Sequence, residues 1–261
     1  MLELPRAAAA WPTAAWNGEP CRRRVTPALP PPRAIPLPRA AHARALARAG
    51  ARVVVTDLPD QQPEGLAREL GPEHAAARLD VTDAASWARV ATEVVDRFGR
   101  VDGLVNNAGL HRAAPFLDTG LDLFEVQLRV NLFGAVLGMQ ALVPHMTEGG
   151  SVVNIASVAG LKGWPSSSGY CASKFALRGM SRAAALDLAD RGIRVNCVLP
   201  GAADTAMLSD ESRQGNGVVA TLPVPRAARP EEVSAVVLFL LGDASSYCTG
   251  QDFVVDGGMT A

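Results

Sequence analysis

From residue 39 onward, apolar positions follow a helical period and a strand period in alternation. Ala40 to Ala49 has helical spacing and is closed by Gly50, and Ala51 to Thr56 reads as a strand covered on both faces that ends at Asp57. The alternation continues with a helix over Glu64 to Leu70, a strand over Ala75 to Leu79 and a helix over Asp83 to Phe98, with Asp83 near its cap. A strand over Val101 to Asn106, a long helix over about Asp118 to Met146 and a strand over Ser151 to Ala156 follow. A helix over Gly169 to Asp190, a strand over Ile193 to Leu199, a loop over Pro200 to Arg229, a helix over Pro230 to Leu241 and a short strand over Phe253 to Val255 complete the order. Alternation of this kind predicts a single α/β domain with a doubly wound, mostly parallel sheet, in which ligands bind beyond the carboxyl ends of the strands.

Residues 1 to 38 break the pattern. Nine of the 19 prolines fall there, in runs such as Pro30-Pro31-Pro32 and Ile35-Pro36-Leu37-Pro38, with alanine and arginine between them. Proline at this density favours extended or polyproline backbone and cannot continue a central strand or a helix. An atypical, irregular segment over 1–38 is therefore expected ahead of a domain over 39–261.

The totals narrow the field. A chain of 261 residues with 48% hydrophobic content can bury one large core. A net charge of −1 gives no field that would attract nucleic acid or an anionic membrane, which leaves small-molecule partners. Cys21, Cys171, Cys197 and Cys248 are scattered without metal-ligand spacing, so neither zinc nor disulfides are expected, and a reducing cytoplasm suits them. Apolar runs such as Val233 to Leu241 are too short to span a bilayer, and Met1 to Trp16 lacks a basic signal-peptide start. A soluble cytoplasmic protein without a membrane partner is the expectation.

Candidate chemistry centres on Ser157 through Lys174. Tyr170 and Lys174 are four apart on a helix and so share a face. A phenol titrates near pH 10, but a neighbouring cation favours the phenolate, and a drop of about three units corresponds to roughly 4 kcal/mol. The chain has only two lysines, Lys162 and Lys174, among its 25 basic residues, so a lysine at 174 is a marked choice over arginine. Other candidates follow predicted strands. Asp57 can accept both ribose hydroxyls of an adenosine and would repel a 2′-phosphate, which favours NAD over NADP, or it merely starts a turn. Asp80-Val81 and Asn106-Asn107-Ala108-Gly109 close the next two strands, and small residues there let backbone approach a flat ligand, or Asn-Asn-Ala-Gly is just a turn. Ser157 follows another strand, and so does Pro200-Gly201-Ala202-Ala203-Asp204-Thr205. Asn131 lies inside the long helix, where asparagine is a mediocre former, for a polar task or from simple exposure.

Asn-Asn-Ala-Gly, Ser157, Tyr170-x-x-x-Lys174, Pro200-Gly201 and Val255-Asp256-Gly257-Gly258 occur in the order and spacing of the short-chain dehydrogenase/reductase family, which residues 39 to 261 resemble. Within it, Tyr247-Cys-Thr-Gly250, Arg213-Gln214-Gly215 and Val101 through Gly109 look most like bacterial 3α(or 20β)-hydroxysteroid dehydrogenases. The resemblance implies a Rossmann-type domain and an NAD-dependent enzyme interconverting a secondary alcohol and a ketone. It also implies roles. Tyr170 would be the acid and base, and Lys174 would bind the nicotinamide ribose and lower the tyrosine pKa. Ser157 would stabilise the substrate oxygen, and Asn131 would support a proton relay. Asp57, Asp80, Val81 and Asn107 would hold the adenosine half, and the backbone near Ala203 with the hydroxyl of Thr205 the carboxamide. A homo-oligomer, tetramer or dimer, through the long central helices is implied as well. The apolar loop residues Met207, Leu208, Val218, Val219 and Leu222 would suit a steroid, a cyclic diol or a simple secondary alcohol.

One part of the family pattern is missing. Where a Thr-Gly-x-x-x-Gly-x-Gly loop would cradle the pyrophosphate, the chain reads from Val25 through Pro30-Pro31-Pro32 to Pro38, without a glycine. Prolines lack the N–H a phosphate needs and the positive φ that glycine allows. The family's first strand, which sits between those ending at Asp57 and Asn106, has only the poor candidate Arg22-Arg23-Arg24-Val25. Either residues 1–38 are an out-of-frame start to an active enzyme, or the chain is a degenerate member that binds cofactor weakly or not at all and serves as an oligomer partner.

Overall fold

Strand and helix alternate through the chain as the periodicity predicts. The structure, a computed structural model, describes residues 39–261 apart from 206 and 207, all within one compact unit. The elements are α1 (Arg39–Arg48), β1 (Val54–Asp57), α2 (Pro63–Leu70), β2 (Ala75–Arg78), α3 (Ala84–Phe98) and β3 (Val101–Asn106). They continue with α4 (Leu121–Leu128), α5 (Gly134–Leu142), β4 (Met146–Ile155), α6 (Ser168–Asp187), β5 (Arg194–Pro200), α7 (Asp210–Arg213), α8 (Pro230–Leu241) and β6 (Asp252–Val255).

Local chemistry sets the ends. Asp83 caps α3 by accepting from the N–H groups of Ala85 and Ser86, and Gly99 closes it at φ 79°. Pro230 opens α8, where Glu232 reaches back to accept the Arg229 N–H at 2.7 Å.

Among the described residues every strand pairing is parallel. β3, β4, β5 and β6 form one sheet in that order, and β1 and β2 a second. Among the described residues no strand joins β1 to β3. The strand expected between them belongs to residues 1–38, outside the described residues. Val152, Val153, Val195, Val198 and Leu199 have no exposed surface, so β4 and β5 are covered on both faces, as continuous apolar strands require. Trp87, Val90 and Met139 fill one side, and Val233, Val237 and Leu240 of α8 the other.

Several expectations need correction. The long helix does not run unbroken over 118–146: it begins at Leu121, passes through a π turn at Arg129–Phe133, and gives way to a 3₁₀ turn at Val143–His145. The π turn admits one extra residue at buried Asn131, and Pro144 has no N–H to carry the helix further. β4 consequently starts at Met146 rather than Ser151, and β1 spans only Val54–Asp57. The stretch over 200–229 is not all loop, since Ser209 caps α7 and a 3₁₀ helix covers Gly217–Thr221. The helical run Leu121–His145 is long and apolar enough to cross a membrane by length and composition, contrary to the expectation that no run is. In this fold it packs against α3, α6 and the sheet.

Candidate active site

The strand ends carry the candidate residues. β4 ends at Ile155, and Ser157 caps the 3₁₀ turn Val158–Gly160 by accepting the Ala159 N–H at 3.1 Å. α6 begins at Ser168 and returns Tyr170 and Lys174 toward that turn. It can come this close because residues 160 and 169 are glycines. A Cβ on Gly160 would lie 3.0 Å from the Lys174 carbonyl oxygen, and one on Gly169 would lie 2.6 Å from Gln127 Nε2.

Lys174 is 2% exposed, and its Nζ donates to the Ile155 carbonyl at 2.8 Å while standing 5.7 Å from the centre of the Tyr170 ring. Burial lowers its pKa to about 8. Burial also pushes Tyr170 up to about 12, against a hydrogen bond with the Ser157 side chain that pulls it down. The expected lowering of the tyrosine by Lys174 is therefore not what this arrangement shows. The ammonium is committed to Ile155 and lies beside the ring, so desolvation of the phenolate outweighs its charge.

Asn131 is buried at 2% exposure, which settles the choice between a polar task and simple exposure. Its Oδ1 accepts from the Leu110 N–H at 2.6 Å, and its Nδ2 donates to the Leu110 carbonyl and to Ser173 Oγ, both at 2.9 Å. It ties the segment after β3 to α6.

Asp57 is buried at the end of β1 and accepts the Leu58 N–H at 2.9 Å. Asp80 lies two residues beyond β2, is exposed, and accepts from both Thr82 N–H at 2.9 Å and Thr82 Oγ1 at 2.7 Å. The Val81 carbonyl accepts Trp87 Nε1 at 3.1 Å. Asn107 Oδ1 is buried, and the Asn107 side chain interacts with the His42 imidazole. Ala203 forms a parallel bridge with Ala228, and the Thr205 carbonyl accepts from Leu208 N–H and Arg213 Nη2, both at 2.9 Å. Met207 lies outside the described residues. Val219 and Leu222, expected to face substrate, are buried at 0% and 8% exposure and belong to the core.

The structure adds residues that the sequence reading missed. His111 lies against Tyr170, with ring centroids 4.7 Å apart. Gln127, fully buried, accepts the Arg112 N–H at 3.0 Å. Asn154 and Ser181 join Asn106, already a candidate from the sequence: Asn106 Nδ2 donates to Asn154 Oδ1, and Asn154 Nδ2 to Ser181 Oγ, both at 2.8 Å, linking β3, β4 and α6. Arg178 donates to the Gly160 carbonyl and, through Nε and Nη2, to Asp252 Oδ2 at 3.1 and 2.6 Å.

A family model described as "Enoyl-(Acyl carrier protein) reductase" matches residues 40–260. A double mutant of a short-chain dehydrogenase/reductase from Serratia marcescens superposes with a TM-score of 0.80 at 31% identity, covering 85% of this chain and 93% of that one. The chain belongs to the short-chain dehydrogenase/reductase family. Curated members it is similar to include trans-4-hydroxycyclohexanecarboxylate dehydrogenase of Sinomonas cyclohexanicum, 39% identical over 232 residues and covering 85% of this chain and 88% of the relative. Another is 3-alpha-(or 20-beta)-hydroxysteroid dehydrogenase of Mycobacterium tuberculosis, 41% identical over 224 residues and covering 85% of each. Short-chain dehydrogenase/reductase enzymes act on small molecules with NAD or NADP, and the Rossmann-type parallel α/β architecture is theirs.

The chain fits such a dinucleotide in part. A buried carboxylate at the end of β1 and the buried ammonium of Lys174 suit the two ends of the molecule. For the pyrophosphate, only the sequence speaks. The sequence ahead of α1, from Val25 to Pro38, holds six prolines and no glycine.

Proposed function

We propose that residues 39–261 form an NAD-dependent oxidoreductase domain that interconverts a secondary alcohol and a ketone on a hydroxysteroid-like or other cyclic apolar substrate. The observation that carries this reading is the meeting of Tyr170, Ser157 and Lys174 where β4 ends against α6. Tyr170 gives its proton to the substrate oxygen in reduction and takes it back in oxidation. Ser157 donates a hydrogen bond to that oxygen as charge develops. Lys174 holds the nicotinamide ribose, and Asn131 supports the relay by fixing the segment after β3. Asp57, Asp80, Val81 and Asn107 hold the adenosine half, with Asp57 selecting NAD, while Ala203 and Thr205 hold the carboxamide. The dinucleotide, when bound, supplies or accepts the hydride.

The names of the relatives support cyclic substrates, including a hydroxycyclohexane acid and hydroxysteroids. Exposed apolar side chains on the central helices, Leu121, Phe133 and Phe175, support a homodimer or homotetramer. A cytoplasmic setting suits the free thiols of Cys171, Cys197 and Cys248. The test is NADH oxidation with cyclic ketones, including a 20-ketosteroid and a substituted cyclohexanone. Turnover by the wild type that the Tyr170→Phe variant lacks supports the reading, and no turnover by a folded, NADH-bound protein overturns it.

The proline-rich sequence ahead of α1 favours a second reading, in which the chain is a degenerate, non-catalytic member that binds cofactor weakly or not at all and acts as an oligomer partner.

A further inference from the structure

His111 follows Asn106-Asn107-Ala108-Gly109-Leu110, and its ring lies 4.7 Å from that of Tyr170 at an interplanar angle of 48°. Its backbone is held on both sides. Asn131 grips the N–H and the carbonyl of Leu110, and Gln127 accepts the N–H of Arg112. Both amides are buried and sit on consecutive turns of one helical run, so the residue between their anchors has little freedom. A further bond, Ala114 N–H to the Ser166 carbonyl at 2.8 Å, joins this segment to the turn that leads into α6. Ser166 holds φ at 56° there, an uncommon conformation for a residue other than glycine.

The side chain is fixed as firmly. His111 Nε2 is 3.0 Å from Ser167 Oγ, and Ser167 Oγ is 3.2 Å from the Pro165 carbonyl. The hydroxyl has one proton, and both contacts are satisfied together only if that proton goes to Pro165 and the imidazole donates from Nε2. Nε2 therefore carries a proton, and burial, which lowers the His111 pKa, favours the neutral ring with that proton as its only one. Its Nδ1 is left as a lone-pair acceptor. Among the described residues nothing donates to that nitrogen, and the residue is only half-buried.

We propose that His111 is a specificity-determining residue whose Nδ1 accepts a hydrogen bond from a second hydroxyl on the substrate, close to the carbon that reacts at Tyr170. The chain then prefers a diol or hydroxyketone to an alcohol with no second donor. This rests on the proposed dehydrogenase reading, because it needs the reacting oxygen to sit at Tyr170. A substrate without the second hydroxyl would desolvate Nδ1 and give it nothing in return.

The test has two arms on the full chain. In the first, nitrogen-15 NMR of histidine-labelled protein, with the His111 signals assigned from their loss in His111→Asn, reports which ring nitrogen carries the proton. The expected result is the Nε2–H form, with an Nδ1 resonance that moves on adding trans-1,2-cyclohexanediol and stays on adding cyclohexanol. In the second, the ratio of kcat/KM for the diol to that for cyclohexanol is compared among variants. His111→Phe lowers the ratio by roughly five- to tenfold, the worth of one hydrogen bond, while His111→Asn, whose amide oxygen replaces Nδ1, retains most of it. An Nδ1–H tautomer, an Nδ1 signal indifferent to the diol, or a ratio unchanged in His111→Phe overturns the inference. Failure of the wild type to turn over any alcohol would instead strike the dehydrogenase reading, and the NMR arm would still decide the role of Nδ1.

Discussion

Lys174 Nζ donates to the Ile155 carbonyl at 2.8 Å, so the last residue of β4 and the second turn of α6 are joined by an ammonium that is 2% exposed. Burial holds that ammonium at a pKa of about 8, below its ordinary 10.5. Between those values the unfolded chain binds more protons than the folded one, so stability rises as pH climbs through this window. The full effect is about 3 kcal/mol at most. Lys174→Met removes it. Denaturant unfolding of both proteins from about pH 7 to about pH 10 should show the wild type gaining on the variant. A constant difference would mean that Lys174 binds its proton equally in the folded and unfolded chain, so that burial does not lower its pKa.

Tyr170 stands at about 12 in the free chain because burial disfavours the phenolate. Oxidation needs that phenolate, and kcat/KM reports the free enzyme, so kcat/KM for alcohol oxidation should keep rising with pH through the alkaline range. Tyr170→Phe should lower kcat by roughly 10²- to 10⁴-fold without unfolding the protein. A profile that levels off near neutrality would show that a charge beyond those described lowers the tyrosine.

Arg178 and Asp252 face each other with side chains only 14% and 11% exposed, and Arg182 adds a second guanidinium at 2.5 Å from the same Oδ2. Because Arg178 also donates to Gly160, the pair braces the turn that Ser157 caps. Arg178→Ala leaves a largely buried carboxylate without its main partner and should cost about 2–3 kcal/mol of stability in urea unfolding, less than for a fully buried pair because Arg182 remains. A loss under about 0.5 kcal/mol would mean that Arg182 alone suffices.

Asp57 is the buried carboxylate at the end of β1. Asp57→Ala should raise the NADP-to-NAD preference in kcat/KM by about tenfold or more, through loss of ribose hydrogen bonds and of repulsion toward a 2′-phosphate. An unchanged ratio would move the ribose site elsewhere.

How much of this could be read from the sequence depends on the kind of signal each residue leaves. β4, β5 and α8 are covered by their neighbours and so appear as apolar runs, and the order of strands and helices follows from them. Tyr170 and Lys174 stand out because they are four apart in a chain with two lysines. The π turn at Arg129–Phe133 leaves no periodic trace, so the long helix reads as unbroken. Arg178 and Asp252 are 74 residues apart, and only the fold brings them together. His111 is a single histidine after a glycine-containing turn, and its value comes from Ser167 and Tyr170, which reach it from 56 and 59 positions away. Val219 and Leu222 read as substrate-facing because they are apolar within a loop, but the 3₁₀ helix at Gly217–Thr221 carries Val219 into the core and leaves Leu222 buried at its end.

The most direct test of the central claim is an NADH titration of the full chain, followed by thermal unfolding, since a ligand that binds only the folded state raises its stability. The dehydrogenase reading predicts saturable binding with a rise in unfolding temperature, weakened in Asp57→Ala. A folded protein whose unfolding temperature does not change at saturating NADH would contradict it and leave the non-catalytic reading in its place.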